Sequence, residues 1–238
     1  MHGKIKALFI TGTNTDAGKT IFCAQLLAFL RRKGINAVSQ KWVQTGCEET
    51  DDAALHIDTA GLAQPEAPDL ITPVRFAYPA SPHLAARLEG KDVDVRIISS
   101  ALNNLMQRYD IVLCEGSGGA LVPLADSLLL SDYAAQLGLP AIIVSANKLG
   151  CINHTLLTVE ALKSRNIPVL GIAFMRVLAE ADEIIAEDNV ETVRKLSGVT
   201  VLGELDWLER PDTYSTDFDR LGEAFLERWD LFDDGRNY

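Results

Sequence analysis

The chain is short of positive charge. Its 238 residues carry 22 Lys and Arg against 33 Asp and Glu, a formal net charge of -11. That balance argues against a nucleic-acid binder, whose affinity comes chiefly from Lys and Arg set against phosphates. Long apolar runs are missing too. No stretch approaches the roughly 18 residues needed to cross a bilayer, and the first residues form no apolar signal segment, so a cytoplasmic location is the expectation. Cysteine is scarce: Cys23, Cys47, Cys114 and Cys151 are too widely spaced for a metal finger or a redox pair and read as reduced thiols. Repeats and low-complexity tracts are also absent. What remains is an ordinary globular composition, long enough to bury one substantial core.

The most informative stretch is residues 4–20. A short apolar run, Ala7 to Ile10, has the length of a buried strand and feeds a Gly-rich turn. Gly18-Lys19-Thr20 then opens an amphipathic helix over Ile21 to Arg32. Backbone N–H groups at such a helix start have no intrahelical partner, and the helix dipole favours an anion there. Lys19 would reach the outer phosphates of a nucleotide and the Thr20 hydroxyl a Mg²⁺ ion. The usual loop pattern has Gly five residues before Gly18. Here Thr13 stands at that place and Gly12 lies one step earlier.

Further strands and helices follow in alternation. Ala37 to Lys41 reads as a strand, and a lysine at its carboxyl end would face the ligand crevice of an open α/β sheet, unless it is simply an exposed lysine. Glu48 to Asp52 is acidic and leads into a helix over Asp51 to Ala60, where Asp51 and Asp52 either cap the helix or reach the metal. Residues 64–82, with five prolines, read as a long shaped loop ending in Ser81-Pro82-His83 at a helix start. His83 has no evident partner. A helix over Val95 to Arg108 precedes the strand Ile111 to Cys114, and Glu115 at its end fits a buried strand that presents a carboxylate to Mg²⁺. Gly116-Ser117-Gly118-Gly119 permits close backbone approach to a ligand.

Ser131 to Leu137 is read as a helix, Ala141 to Ser145 as a strand and Thr155 to Ser164 as a helix, so Gly150 to Asn153 forms a second anion-binding helix start. Val169 to Phe174 is a strand, Glu180 to Leu196 a helix, Val199 to Gly203 a strand and Phe218 to Trp229 a closing helix. Asp233 to Tyr238 is expected to fray. The alternation predicts a single α/β domain of the P-loop NTPase type over residues 1–238, its sheet doubly wound and mostly parallel with helices on both faces.

Taken together, Gly12 to Thr20, Lys41 with Val43 and Gly46, Ser81-Pro82-His83, Glu115 to Gly119, Lys148 to His154, and Leu202-Gly203-Glu204 with Trp207-Leu208 resemble the dethiobiotin synthetases from Lys4 to about Arg210. The resemblance implies a homodimeric P-loop enzyme of biotin synthesis. Such an enzyme uses MgATP and CO₂ to close a ureido ring on 7,8-diaminopelargonic acid through a carbamate and a carbamic-phosphoric anhydride. It implies catalytic roles for Lys19, Lys41 and Thr15, and Mg²⁺ held by Thr20, Asp52 and Glu115. Nucleotide contacts are implied for Asp16, Ala17, Gly18, Lys19, Thr20, Ile21 and Asp52, then Glu115, Gly116, Ser117 and Gly118, with Met175 and Arg176 at the base. Substrate contacts are implied for Thr45, Ser81, Gly150, Cys151, Ile152 and Asn153, the last four from the other subunit.

Three places depart from the family pattern. Trp42 and Asp206 stand where Pro is common, and Met175-Arg176 where Asn-Asp is common. Met can neither donate nor accept as a base-reading amide does, so relaxed discrimination among nucleoside triphosphates is the expectation. Two rivals share the loop. One is a related P-loop ligase acting on another amine or carboxylate. The other, a nucleotide-switched partition-type ATPase, needs a second signature lysine five residues before Lys19, where Asn14 stands.

Overall fold

The computed structural model describes residues 6–47, 51–62, 66–180 and 182–234. In chain order, β1 (Ala7–Gly12), α1 (Lys19–Arg32), β2 (Ala37–Lys41), β3 (Val43–Thr45) and α2 (Asp52–Thr59) come first. They are followed by α3 (Pro68–Ile71), β4 (Val74–Phe76), α4 (Pro82–Leu88), α5 (Val95–Arg108) and β5 (Ile111–Gly119). Then come β6 (Pro123–Ala125), β7 (Leu128–Leu129), α6 (Leu130–Gln136), β8 (Ala141–Ala146) and α7 (Cys151–Lys163). The chain closes with β9 (Val169–Met175), α8 (Glu183–Ser197), β10 (Val201–Leu205) and α9 (Asp219–Asp233).

Six strands form the main sheet in the order β10-β9-β8-β1-β5-β2, and every neighbouring pair is parallel. All residues of β1, β2, β8 and β9 are buried, as expected where helices cover both faces of a sheet. The alternation along β1 shows this directly. Ala7 and Phe9 enter a core with Trp42, Leu102, Leu105 and Leu130, whereas Leu8 and Ile10 enter the opposite core with Phe22, Leu26, Phe225 and Trp229. The chain leaves β1 in one direction and returns past it to β8 in the other. This reversal of winding leaves a crevice beyond the carboxyl ends of the strands.

Several expected boundaries shift. The loop expected over 64–82 is broken within its described residues, 66–82: α3 starts with Pro68 at its first turn, and β4 pairs in parallel with β3, Val43 opposite Val74, while residues 64 and 65 lie outside the described residues. Pro is pre-set for a first helical turn, and that turned the proline cluster into a helix start. α7 begins at Cys151 rather than Thr155 because Gly150, at φ 92°, sets the helix start. α8 begins at Glu183, where the Asp182 side chain accepts from the Ile185 N–H, instead of at Glu180. β10 runs Val201–Leu205, two residues later than expected, and α9 continues through Asp233. Residues 48–50 of the acidic cluster, and 235–238 of the expected frayed tail, lie outside the described residues.

Candidate active site

β1 ends in the loop that α1 follows. Gly18 takes φ 90°, a left-handed conformation that a side chain resists, and the Met175 side chain is packed behind it. A Cβ added at Gly18 would lie 2.9 Å from both Met175 Cβ and Cγ. Gly12 accounts for the shifted glycine of the loop. A Cβ there would meet the Asn14 carbonyl oxygen at 2.8 Å and Lys19 Nζ at 2.9 Å. Lys19 folds back over the loop and donates to that same Asn14 carbonyl at 3.1 Å. Burial lowers the Lys19 pKa, with Glu115 acting in the opposite sense.

Parallel pairing of β2 with β5 sets Lys41 directly opposite Glu115. Lys41 Nζ lies 2.6 Å from Glu115 Oε1 and 2.5 Å from Asp52 Oδ2, and the Thr20 hydroxyl donates to Glu115 Oε1 at 3.1 Å. Burial opposes both charges of the central pair, yet each holds the other ionised. Lys41 and His56 keep the Glu115 carboxyl below the usual carboxylate range, and Glu115 and Asp52 raise the Lys41 pKa. Asp51 is the capping residue of the acidic pair: it accepts from the Ala54 N–H at 3.1 Å and pairs with Arg75.

Lys19, Thr20, Lys41, Asp52 and Glu115 line one end of a cavity of about 440 Å³, together with Thr15, Asp16, Gly18, Ile21, Thr45, Ser117 and Gly118. The other end is formed by Met175, Arg176, Val177, Asp206, Trp207 and Leu208. Arg176 is held there by Glu183 at 2.5 Å, Glu204 at 3.0 Å and Asp206 at 3.2 Å.

A family model described as an AAA domain matches residues 6–213. An ATP-dependent dethiobiotin synthetase of Halalkalibacterium halodurans is 38% identical over 231 residues, covering 95% of this chain and 94% of the relative. One from Chlorobaculum tepidum is 43% identical over 197 residues, 81% of each chain. The chain belongs to the dethiobiotin synthetase family.

Among solved structures, the MinD cell division protein of Aquifex aeolicus superposes with a TM-score of 0.57 over 98% of both chains at 13% identity. Chloroplast FtsY of Physcomitrella patens gives 0.54 at 15% identity, covering 95% of this chain and 67% of that one. At such identities the likeness is one of fold alone, the P-loop NTPase fold.

The remaining expected positions of this dethiobiotin synthetase family member divide clearly. Ala17 is buried beneath the loop, and the Gly116 carbonyl accepts from Lys41 Nζ at 3.4 Å. Ser117 donates to the Val43 carbonyl at 2.6 Å, tying β5 to β3. Ser81 is not brought to the cavity: it precedes α4 and its hydroxyl lies 3.1 Å from His83 Nδ1, which gives His83 a partner. Gly150, Cys151, Ile152 and Asn153 also lie away from it, at the start of α7, where the buried Cys151 thiol faces Asn147. Trp42 packs: it is fully buried, stacked on Phe9 with centroids 4.9 Å apart and edge-on to Tyr133 at 5.1 Å.

His56 was not anticipated. It is fully buried with Nε2 2.9 Å from Glu115 Oε2. Its sequence signal is the spacing from Asp52, four residues earlier on α2, which puts both on one helix face.

Proposed function

We propose that the protein is an ATP-dependent dethiobiotin synthetase acting as a homodimer in the cytoplasm. Its reaction joins 7,8-diaminopelargonic acid and CO₂ at the expense of ATP, giving dethiobiotin, ADP and phosphate. One neutral substrate amine adds to CO₂ and loses a proton to solvent, giving a carbamate, and a carbamate oxygen attacks the γ-phosphorus as the bond to the ADP oxygen breaks. The second amine then attacks the carbamoyl carbon of the mixed anhydride, loses its proton, and phosphate departs.

The observation that carries this reading is the convergence of Lys19, Thr20, Lys41, Asp52 and Glu115 on one cavity beside the phosphate loop. Phosphoryl transfer asks the protein mainly for positioning and charge stabilisation, and every reacting oxygen here is anionic. Lys19 serves the outer phosphates. Lys41 serves the carbamate and the transferring phosphoryl group, exchanging its carboxylate partners for the reactants as they bind. Thr15, Asp16 and Thr45 line the same end and hold the diamine.

Thr20, Asp52 and Glu115 present only oxygens, the donor set that suits Mg²⁺. When bound there, Mg²⁺ would neutralise charge on the phosphates and act as a Lewis acid in phosphoryl transfer. The base lies toward Met175 and Arg176. Since Met175 is spent on packing behind Gly18 and Arg176 on carboxylates, neither offers a side-chain amide to a purine edge, which supports relaxed base discrimination.

Support for the dimer comes from the surface beside the loop. A hollow there is lined by Thr13, Thr15, Val122, His154 and Leu157, and Leu149, at 84% exposure, stands at the nearby start of α7. A second subunit seated on this face would bring its Gly150 to Asn153 to the substrate carboxylate.

The reading is tested by the co-substrate dependence of ADP release. ADP should appear only when both diamine and bicarbonate are present. Equal release without the diamine would instead mark a nucleotide hydrolase, and release with other amines a related ligase.

A further inference from the structure

The phosphate-loop chemistry does not account for the corner behind Glu115. Its two carboxylate oxygens are in different surroundings. Oε1 faces the cavity and receives Lys41 at 2.6 Å and the Thr20 hydroxyl at 3.1 Å. Oε2 points inward, where His56 Nε2 lies 2.9 Å away and the Cys23 thiol closes the pocket. Sulfur, imidazole and carboxylate are all within 4.8 Å of one another and buried. Burial pushes the Cys23 thiol well up, so it remains a weak S–H group beside the carboxylate.

The imidazole is itself held. Nδ1 of His56 lies 3.0 Å from the Ser39 hydroxyl, and Ser39 shares a face of β2 with Lys41 two residues on. An ionised carboxylate only accepts, so an Nε2 that bonds it carries the hydrogen; in the structure the two atoms are within reach but not aligned as a hydrogen bond, and Nδ1 is left to the Ser39 hydroxyl. A carboxylate rotates easily about its terminal torsion. With no imidazole behind it, either oxygen could turn to the cavity.

We propose that His56 is a positioning residue that fixes the rotation of the Glu115 carboxylate, so that one oxygen is offered to the divalent cation carried in with the nucleotide. Ser39 sets the ring from behind. This role rests on the reading of Glu115 as a metal ligand. It corresponds to the outer hydrogen-bond partners of metal ligands, whose loss costs roughly 10- to 100-fold in metal affinity.

The test is Mn²⁺ binding to the protein–ADP complex, followed by the loss of the free-ion electron paramagnetic resonance signal, which requires no turnover. His56→Gln places an amide N–H where Nε2 stands and should bind Mn²⁺ within about threefold of the parent, whereas His56→Leu and the shorter His56→Asn should each lose about tenfold or more. ADP binding in the presence of a chelator should be the same in all. If His56→Leu does not fold, the contrast between Gln and Asn carries the test. Equal Mn²⁺ affinity in the Gln and Asn variants would reduce His56 to packing and overturn the proposal. Glu115→Gln in the same titration separates the two levels. Parent-like Mn²⁺ binding in that variant would remove the metal reading of Glu115, and the role of His56 with it.

Discussion

Lys41 Nζ and Glu115 Oε1 lie 2.6 Å apart, with Asp52 Oδ2 as the lysine's second carboxylate partner at 2.5 Å. The ammonium thus sits among the oxygens that a divalent cation would use. In the free protein Lys41 neutralises that cluster; on the proposed reading, metal and nucleotide would take over these oxygens and release the lysine toward the reacting groups. Lys41→Ala should then destabilise the ligand-free protein by about 3 kcal/mol, since removing one member strands a buried charge. MgADP should recover more of the loss in this variant than it adds to the parent, because the metal replaces the missing cation. Urea midpoints with and without MgADP measure this. An equal increment in both proteins contradicts the exchange.

Lys19 has a different position. Its ammonium rests on the Asn14 carbonyl and forms no ion pair among the described residues, so its removal strands no carboxylate. Lys19→Ala should keep the fold and lose roughly 10²-fold or more in turnover, the cost of a charge contact made in the transition state. Near-parental turnover with an unchanged melting curve would detach the loop from phosphoryl transfer.

Base choice follows from the cavity's far end. With Met175 behind Gly18 and Arg176 held by carboxylates, ATP, GTP and CTP should support turnover with specificity constants within about tenfold of each other, the span of a weak hydrogen-bond difference. Steady-state competition is the check. A strong preference for ATP would assign base reading to backbone groups or to Asp206 and Trp207.

The thiols provide a test of the packing. Cys23, Cys114 and Cys151 are buried and Cys47 is partly exposed. Burial raises the Cys114 pKa to about 12. A raised folded-state value means that the stability tied to the protonated thiol is fully present below the ordinary thiol pKa and is lost as pH rises through about 12. At pH 9 the native protein should therefore react with a thiol reagent at Cys47 alone, and at all four cysteines when unfolded in urea. Rapid native labelling of Cys114, read by peptide mass, contradicts this account.

The parts of this site legible in the sequence are those whose chemistry is local. Gly18, Lys19 and Thr20 are consecutive where the loop passes into α1, and Glu115 follows four apolar residues of β5, which continues to Gly119 instead of stopping at Cys114, so residue type and spacing point to their positions. The choice between Asp51 and Asp52 was open because both suit a helix start. Only tertiary placement beside β2 sends Asp52 to Lys41 and leaves Asp51 to cap. For His56 the spacing from Asp52 names no partner, because Ser39 and Glu115 are 17 and 59 residues away and meet it only through the pairing of β2 with β5. Trp42 was equally unreadable. A large aromatic beside Lys41 suits stacking on a ligand as well as packing, and the parallel Phe9 ring decides for packing. The proline-rich segment misled because Pro68 starts a helix as readily as it shapes a loop.

The central claim is ring closure, and it is tested most directly with labelled bicarbonate. The protein is incubated with MgATP, 7,8-diaminopelargonic acid and the label, and the mixture is then acidified. A carbamate loses its CO₂ in acid, whereas a closed urea keeps it. Ring closure leaves acid-stable label in a product with the mass of dethiobiotin, formed in proportion to the ADP released. Label that is lost entirely on acidification, with ATP, GTP and CTP alike, would contradict it.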